Sequence, residues 1–437
     1  MTSAKTNTIP EPSQLTSLRA LRAIIQTRSM LPAMLVFHRE VGDVFQFALP
    51  GFSPVVLSGA EACHFVLVEA KDDLLWRAEG EPITNLLEQG VLVLDGEAHD
   101  RLRRQLQPPL HKQMLSGYSE SIVRCTDQIT SQWTDTEPVD MLAEMRKIAL
   151  LVLMDALFDV DYTPELKAQW ESVLRLIKYV SPGLWLLWEG MPHPGYKRAR
   201  QQIDDYWYKI IAERRQHPKE NATDMLSVLI NSGLSDEVIR DQLMTMLVAG
   251  HDTTTAMLAW GFYLLGQHPE AVARLQAEID AAIGDQPPNA ENTQHLPYLN
   301  CFIQESMRLY PPLHFGSRIA ARDLEFDGYT IEKGRRILYS IFLTHRHPGL
   351  WERPDDFMPE RFLPENKGDR PHYAYVPFGG GARICIGMAF AQVEMRLILV
   401  RILQQYDVLK RFGHVHMHMG VTIEPRPGVR MQPLRRR

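Results

Sequence analysis

The chain predicts a mainly α-helical fold with a minor β portion, arranged as a single large domain. Three observations carry this. Apolar residues recur at i, i+3 and i+4 through most of the chain to about residue 310, the spacing of amphipathic helices. One segment, Ser235–Gln267, is long and apolar almost all round, as a helix running through the middle of a domain must be. Finally, no repeat, linker or low-complexity block divides the 437 residues, although their number alone favours two or three domains.

Taken in order, "MTSAKTNTIPEPSQ" is polar, contains prolines and lacks the apolar core of a signal peptide. It predicts a disordered tail over 1–16, with the domain spanning 17–437. Apolar alternation at Val44–Phe47 and Val55–Leu57, separated by "LPGFSP", predicts a small hairpin. Helices are expected near Gly59–Ala70, Glu97–Leu106, Gln113–Trp133, Met141–Phe158, Pro164–Val180 and Tyr196–Gln216. The spine, Ser235–Gln267, opens on "SDEV" with a serine placed to cap. From Gly316 to Tyr339 the period shifts to two, and "FDGYTI" reads as a hairpin turn. A last helix, Met388–Gln405, precedes "VTIEPRPGVRM", which carries strand and turn signals.

Composition narrows the function. A net charge of -6 argues against nucleic acid as the main partner, and the terminal "RRR" is too short to change that. The longest apolar stretch, Ile148–Phe158, contains Asp155 and falls short of the roughly 20 residues a bilayer span requires. A cytoplasmic protein without a membrane span is expected. Cys63, Cys125, Cys301 and Cys385 lie far apart, which indicates neither a disulfide framework nor a cysteine zinc knuckle.

Cys385 stands apart from the other three. It lies in "PFGGGARICIG", just before a helix whose first N–H groups can point at its sulfur. Such donors and the positive helix end favour a thiolate. The surrounding glycines permit tight turns and close approach of something flat and bulky. A shielded thiolate facing a large planar partner suits a metal that brings its other ligands with it, and haem iron fits this description.

Phe378, Gly381, Arg383, Cys385 and Gly387 fill every fixed position of the Phe-x-x-Gly-x-Arg-x-Cys-x-Gly signature, so the chain resembles the cytochrome P450 superfamily of haem-thiolate monooxygenases. The resemblance runs from about Val41 to the C-terminus and implies one α-rich domain holding haem b, iron protoporphyrin IX, with Cys385 as the metal ligand. Three further stretches match. In "AGHDTT" the poor helix formers predict local loosening of the spine. Alone, the motif reads equally as a back-bonding threonine beside a surface aspartate. The resemblance makes Asp252 and Thr253 the catalytic pair that delivers protons to bound dioxygen. "ESMR" places Glu305 and Arg308 on one helix face, ordinarily a solvated pair. By resemblance they join Arg361 of "FMPERF" in a structural lock, with Arg361 bridging the pair bidentately. In "GEAHDRLRRQL", His99 and Arg103 share a helix face. Alone, His99 reads as a surface histidine. By resemblance His99, Arg103, Arg318 and Arg383 serve the haem propionates, while Phe378 and Gly387 belong to the cofactor-binding loop.

The thiolate ligand implies insertion of one oxygen atom from O2 into an organic substrate. The expected substrate is a small lipophilic molecule such as a fatty acid or terpenoid, lying against Met244, Val248, Ala249, Leu313, Phe315 and Met419 and the loop near Trp76–Leu94. "SPGLWLLWEGMPHPG", Ser181–Gly195, is expected to form a lid, although Trp185 and Trp188 read rather as plain core residues. No reductase follows Gly387, so electrons are expected from a separate ferredoxin or flavodoxin with an NAD(P)H-dependent reductase. Arg101, Arg104 and Lys112 offer such a partner a basic patch, or form a plain solvated face. The motif wording resembles the branch containing fatty-acid and eukaryotic-type enzymes, and the missing anchor suggests a soluble bacterial form. Two alternatives remain: a peroxide-using peroxygenase, against which the acid–threonine pair argues, and a non-catalytic haem carrier or sensor.

Overall fold

The long apolar segment becomes the axis on which the rest packs. In the computed structural model, which describes residues 8–27, 29–49, 52–181, 193–220 and 222–436, it is one helix with a wide turn in its middle. Asp236–Met246 enters a π turn at Leu247–His251 and resumes as Asp252–Gln267. Gly250 and the flanking threonines weaken the regular ladder there, as the sequence implies. The Ser235 hydroxyl accepts the Val238 N–H at the start. Helices Met141–Val152, Pro297–Leu309 and Met388–Gln405 pack on Asp252–Gln267, and all four share one core.

The strands form four small sheets among the described residues. Val44–Gln46 (β1) and Val55–Leu57 (β2) form the expected hairpin. Leu74–Leu75 (β3) and the short Val139–Asp140 (β4) follow. Phe315–Ala320 (β5), Leu324–Phe326 (β6), Tyr329–Ile331 (β7) and Arg336–Ser340 (β8) come after the helix Pro297–Leu309. The main sheet has the order β1-β2-β8-β5-β3, with β2 parallel to β8 and the other pairs antiparallel. In "FDGYTI" both Asp327 (φ 51°) and Gly328 (φ 77°) adopt the left-handed region, which a tight two-residue hairpin turn requires. Tyr406–Lys410 (β9), His416–Met419 (β10), Ile423–Arg426 (β11) and Arg430–Arg435 (β12) end the chain. β10 and β11 form a separate hairpin.

Several boundaries differ from expectation. Residues 8–16 are not a disordered tail: Ile9 is buried, the Pro10 carbonyl accepts the Gln46 N–H, and a helix begins at Gln14. That helix, Gln14–Thr27, and the next, Leu31–Val41, went unforeseen. The segment expected as a helix from Gln113 opens as a 3-10 stretch, Lys112–Tyr118, and turns regular at Ser119, just past Gly117. Of the expected lid, residues 182–192, including Trp185 and Trp188, lie outside the described residues.

Candidate active site

Cys385 lies in the loop that enters the helix Met388–Gln405, and its N–H donates to the Phe378 carbonyl at 2.9 Å. The loop needs its glycines. Gly381 sits at φ 60°, and a Cβ there would stand 2.1 Å from the Leu67 carbonyl oxygen. Cys385 opens onto a cavity of about 940 Å³ that reaches from this loop to the spine helix. Its exposed surface therefore faces the cavity, and protein encloses it on the other sides.

The electrostatics of the thiol depart from expectation. Burial raises its pKa above the ordinary value and outweighs the lowering by the Gly387 N–H and the Arg103 guanidinium. Helix-end donors alone do not hold a thiolate here, whereas a metal cation bound to the sulfur would deprotonate it outright.

The four predicted propionate partners, His99, Arg103, Arg318 and Arg383, all line this cavity, together with Phe378 and Gly387. Arg103 Nη2 donates to the Ile384 carbonyl at 2.7 Å, and Arg383 Nη2 meets Asp95 Oδ1 at 2.8 Å. His99 is buried, with Nδ1 2.8 Å from Asp100 Oδ1. The Arg318 guanidinium stacks over Trp76 at 5.1 Å and Tyr339 at 5.6 Å. Burial holds the pKa of Arg103 and of Arg383 below the usual arginine value. Positive charge thus gathers where water is scarce, and among the described residues the Arg103 side chain hydrogen-bonds to a carbonyl alone. An anionic planar group resting above Cys385 fits this donor set, as the two propionates of haem require.

The predicted catalytic pair, at the start of the helix that follows the π turn, does not share one environment. Thr253 lines the cavity and its hydroxyl donates to the Ala249 carbonyl at 2.8 Å, closing the wide turn. Asp252 is fully buried and is not part of the cavity wall. Its Oδ2 accepts the Thr422 hydroxyl at 2.8 Å, and Arg146 Nη2 lies 3.6 Å from Oδ1. Arg146 also pairs closely with Glu424. Burial, followed by the nearby Glu424 charge, pushes the Asp252 carboxyl up to about 6, against the pull of Arg146. Sequence reasoning missed Arg146 and Glu424, which are distant in the chain.

Glu305, Arg308 and Arg361 come together as predicted, all buried. The bidentate partner is Arg308, not Arg361: Arg308 Nε and Nη2 reach the two Glu305 oxygens at 2.7 and 2.8 Å. Arg361 makes a single bond to Glu305 Oε1 at 3.1 Å, because its other nitrogens serve the carbonyls of Glu352, Arg353 and Asp356.

Among the expected pocket residues, Val248, Ala249, Leu313, Phe315 and Met419 line the cavity, and so do Trp76, Ile83, Val91 and Leu92 of the loop. Met244 is buried but faces away. Thr245 and Met246, four and three residues before Ala249, share its helix face and meet the cavity instead, whereas Met244 is five residues away and falls on another face.

Two wall residues were also missed. Glu394 accepts the Thr254 hydroxyl at 3.0 Å, and burial pushes its carboxyl up to about 8. Its signal was a lone acid within the apolar "MAFAQVEMRLILV". His314 is buried, its Nδ1 has no partner among the described residues, and burial lowers its pKa to about 4.

A thiol below an apolar chamber with a cationic rim defines a haem-thiolate protein. Comparison agrees: the family model "Cytochrome P450" matches residues 12–428. The chain belongs to the cytochrome P450 family and is a cytochrome P450 monooxygenase, an oxidoreductase with a haem-iron cofactor. It is 30% identical over 401 residues to cyclooctatin synthase of Streptomyces melanosporofaciens, covering 88% of this chain and 86% of that one. Cyclooctat-9-en-7-ol 5-monooxygenase of the same organism is 32% identical over 338 residues, covering 74% and 73%. A solved structure, the retinoic acid bound cyanobacterial CYP120A1, superimposes with a TM-score of 0.83 at 28% identity, covering 91% of this chain and 93% of that one.

Proposed function

We infer that the protein binds haem b over Cys385 and inserts one atom of O2 into a small lipophilic substrate, using electrons from a separate ferredoxin or flavodoxin and its NAD(P)H-dependent reductase. The observation that carries this reading is the cavity itself: largely apolar side chains enclose about 940 Å³ between the Cys385 loop and Thr253. The bound haem supplies the oxygen-activating chemistry; the rest is the work of side chains. Cys385 gives the metal its thiolate ligand. His99, Arg103, Arg318 and Arg383 bind and orient the propionates, and their charge is offset when they do so.

Thr253 holds its hydroxyl at the cavity wall, where it orients water and passes a proton inward. Asp252 does not touch the cavity. Held between Thr422 and Arg146, it exchanges protons from behind the cavity wall rather than acting as a direct donor. Leu313, Phe315, Val248, Ala249 and Met419 exclude water and favour an apolar substrate body. Cyclooctat-9-en-7-ol and retinoic acid, named for two of the similar proteins, are compatible with such a chamber. Glu305, Arg308 and Arg361 maintain the segment that precedes the cysteine loop. Arg101, Arg104 and Lys112 are all exposed and offer a basic face to an acidic electron donor.

The test is a spectral titration of the purified haem-loaded protein with a library of fatty acids and terpenoids. The expected result is an optical shift on displacement of the water bound to iron, followed by turnover with NAD(P)H, reductase and ferredoxin. Turnover with hydrogen peroxide alone and none with the reductase chain would refute the electron route. A reduction rate insensitive to ionic strength would remove the basic patch from it.

A further inference from the structure

The helix Gln14–Thr27 is built inside out. Its inner face carries small residues: Thr16 and Ala20 are buried against the neighbouring helix Leu31–Val41. Its large apolar side chains point outward instead. Leu15 is 59% exposed, Leu18 64%, Leu21 52% and Ile25 69%, half of the eight large hydrophobics exposed among the described residues. With about 100° per residue, these four fall on one stripe opposite Ala20. A helix that served only to cover the core would place them the other way, and scattered exposed leucines would not align.

The flank of the stripe is basic. Arg19 is exposed beside it, Arg22 is exposed near its edge between Leu15 and Leu18 around the helix, and the helix contains no acidic residue. The nearest acids in sequence are turned to the chain's own groups: Glu40 accepts the Ser13 N–H at 3.0 Å, and Glu11 accepts from Gln46 at 3.0 Å. The helix also contributes to the cavity wall. Ile24, next to the stripe, lines it, as does Met30 just after the helix.

We propose that this outward face docks the protein on an anionic lipid surface, with the four apolar side chains in the acyl boundary and Arg19 and Arg22 at the headgroups. Apolar side chains with arginines at the edge, whose long stems can carry the charge to the headgroups, are the pattern of a helix that lies in the membrane interface without crossing it. No helix among the described residues is long and apolar enough to cross a membrane, which leaves this lateral mode. A second copy of the chain is a poorer occupant. The helix is about 21 Å long, and four side chains on it fall short of the roughly 800 Å² per partner of a stable interface. Docking in this orientation brings the part of the cavity wall formed by Ile24 and Met30 near the phase where lipophilic molecules concentrate. The proposal stands on the helix alone and does not depend on the reaction assigned to the cavity.

Flotation of the full-length haem-loaded protein with vesicles tests it, using phosphatidylcholine alone and an equal mixture with phosphatidylglycerol. Binding is expected to the mixed vesicles and to weaken as salt rises from about 0.1 to about 1 M, over which screening shortens from about 10 to about 3 Å. The triple variant Leu18→Gln, Leu21→Gln, Ile25→Gln is expected to lose about a hundredfold or more in partitioning. Arg19→Gln with Arg22→Gln is expected to lose the preference for phosphatidylglycerol. Unchanged ellipticity and an unchanged carbon monoxide spectrum of the reduced protein establish that the variants remain folded. Absence of vesicle binding, equal binding by the triple variant, or unchanged lipid preference in the arginine variant would overturn the proposal. So would a dimer in light scattering that the triple variant dissociates.

Discussion

Glu394→Gln removes a buried acid and keeps an oxygen that can accept the Thr254 hydroxyl. In the folded chain, burial raises the Glu394 carboxyl from 4.5 to about 8, with only the Thr254 hydroxyl pulling it back. The unfolded chain releases that proton at the lower pH and the folded chain retains it until the higher one. Glu394 therefore stabilises the fold fully below about pH 4.5, and this contribution is lost as pH rises through about 8. Each pH unit in that window corresponds to about 1.4 kcal/mol, so the wild type is expected to fall by up to about 5 kcal/mol relative to the glutamine variant. Urea unfolding of both haem-loaded proteins at intervals from about pH 5 to about pH 8 measures this, and the difference between their midpoints should grow steadily with pH. Parallel profiles, offset by a constant or not at all, would refute the reasoning, because they require Glu394 to titrate alike in both states.

Cys385→Ser is expected to abolish the strongly red-shifted Soret band of the carbon monoxide complex of the reduced protein; retention of that band would remove Cys385 as the ligand. Glu305→Ala leaves two buried guanidiniums without their carboxylate, and a loss of about 3–5 kcal/mol is expected, read as a lower urea midpoint and lower haem content. An unchanged midpoint would show that the neighbouring carbonyls suffice for Arg308 and Arg361. Thr253→Ala is expected to lower product formed per NAD(P)H by about tenfold or more, with peroxide released instead. Undiminished coupling would exclude the hydroxyl from proton transfer.

Much of the fold was legible because its signals are local. The spine announced itself by apolar residues on every side, the hairpin by Asp327 and Gly328, and the final helix by matching bounds at Met388 and Gln405. The first helix was hidden for a physical reason. Its large apolar residues face outward, and its buried ones are alanine and threonine, which carry little periodic signal. At the site, motifs named the residues but not their directions. Met244 does not reach the cavity, and of the adjacent Asp252 and Thr253 only Thr253 lines it. The partners of Asp252 come from residues 146, 422 and 424, so only the folded chain discloses them. The arginine that doubly grips Glu305 depended on which guanidinium was already occupied by carbonyls, a matter of tertiary contact.

That last arrangement has a bearing on how the chain can change over generations. Beyond Glu305, the guanidiniums of Arg308 and Arg361 hold the oxygens of His345, Glu352, Arg353, Pro354 and Asp356, all of them main-chain atoms. Every residue type supplies the same oxygen. The winding stretch before the cysteine loop can thus vary its outward side chains widely, as long as its path is kept, while the three residues that grip it cannot.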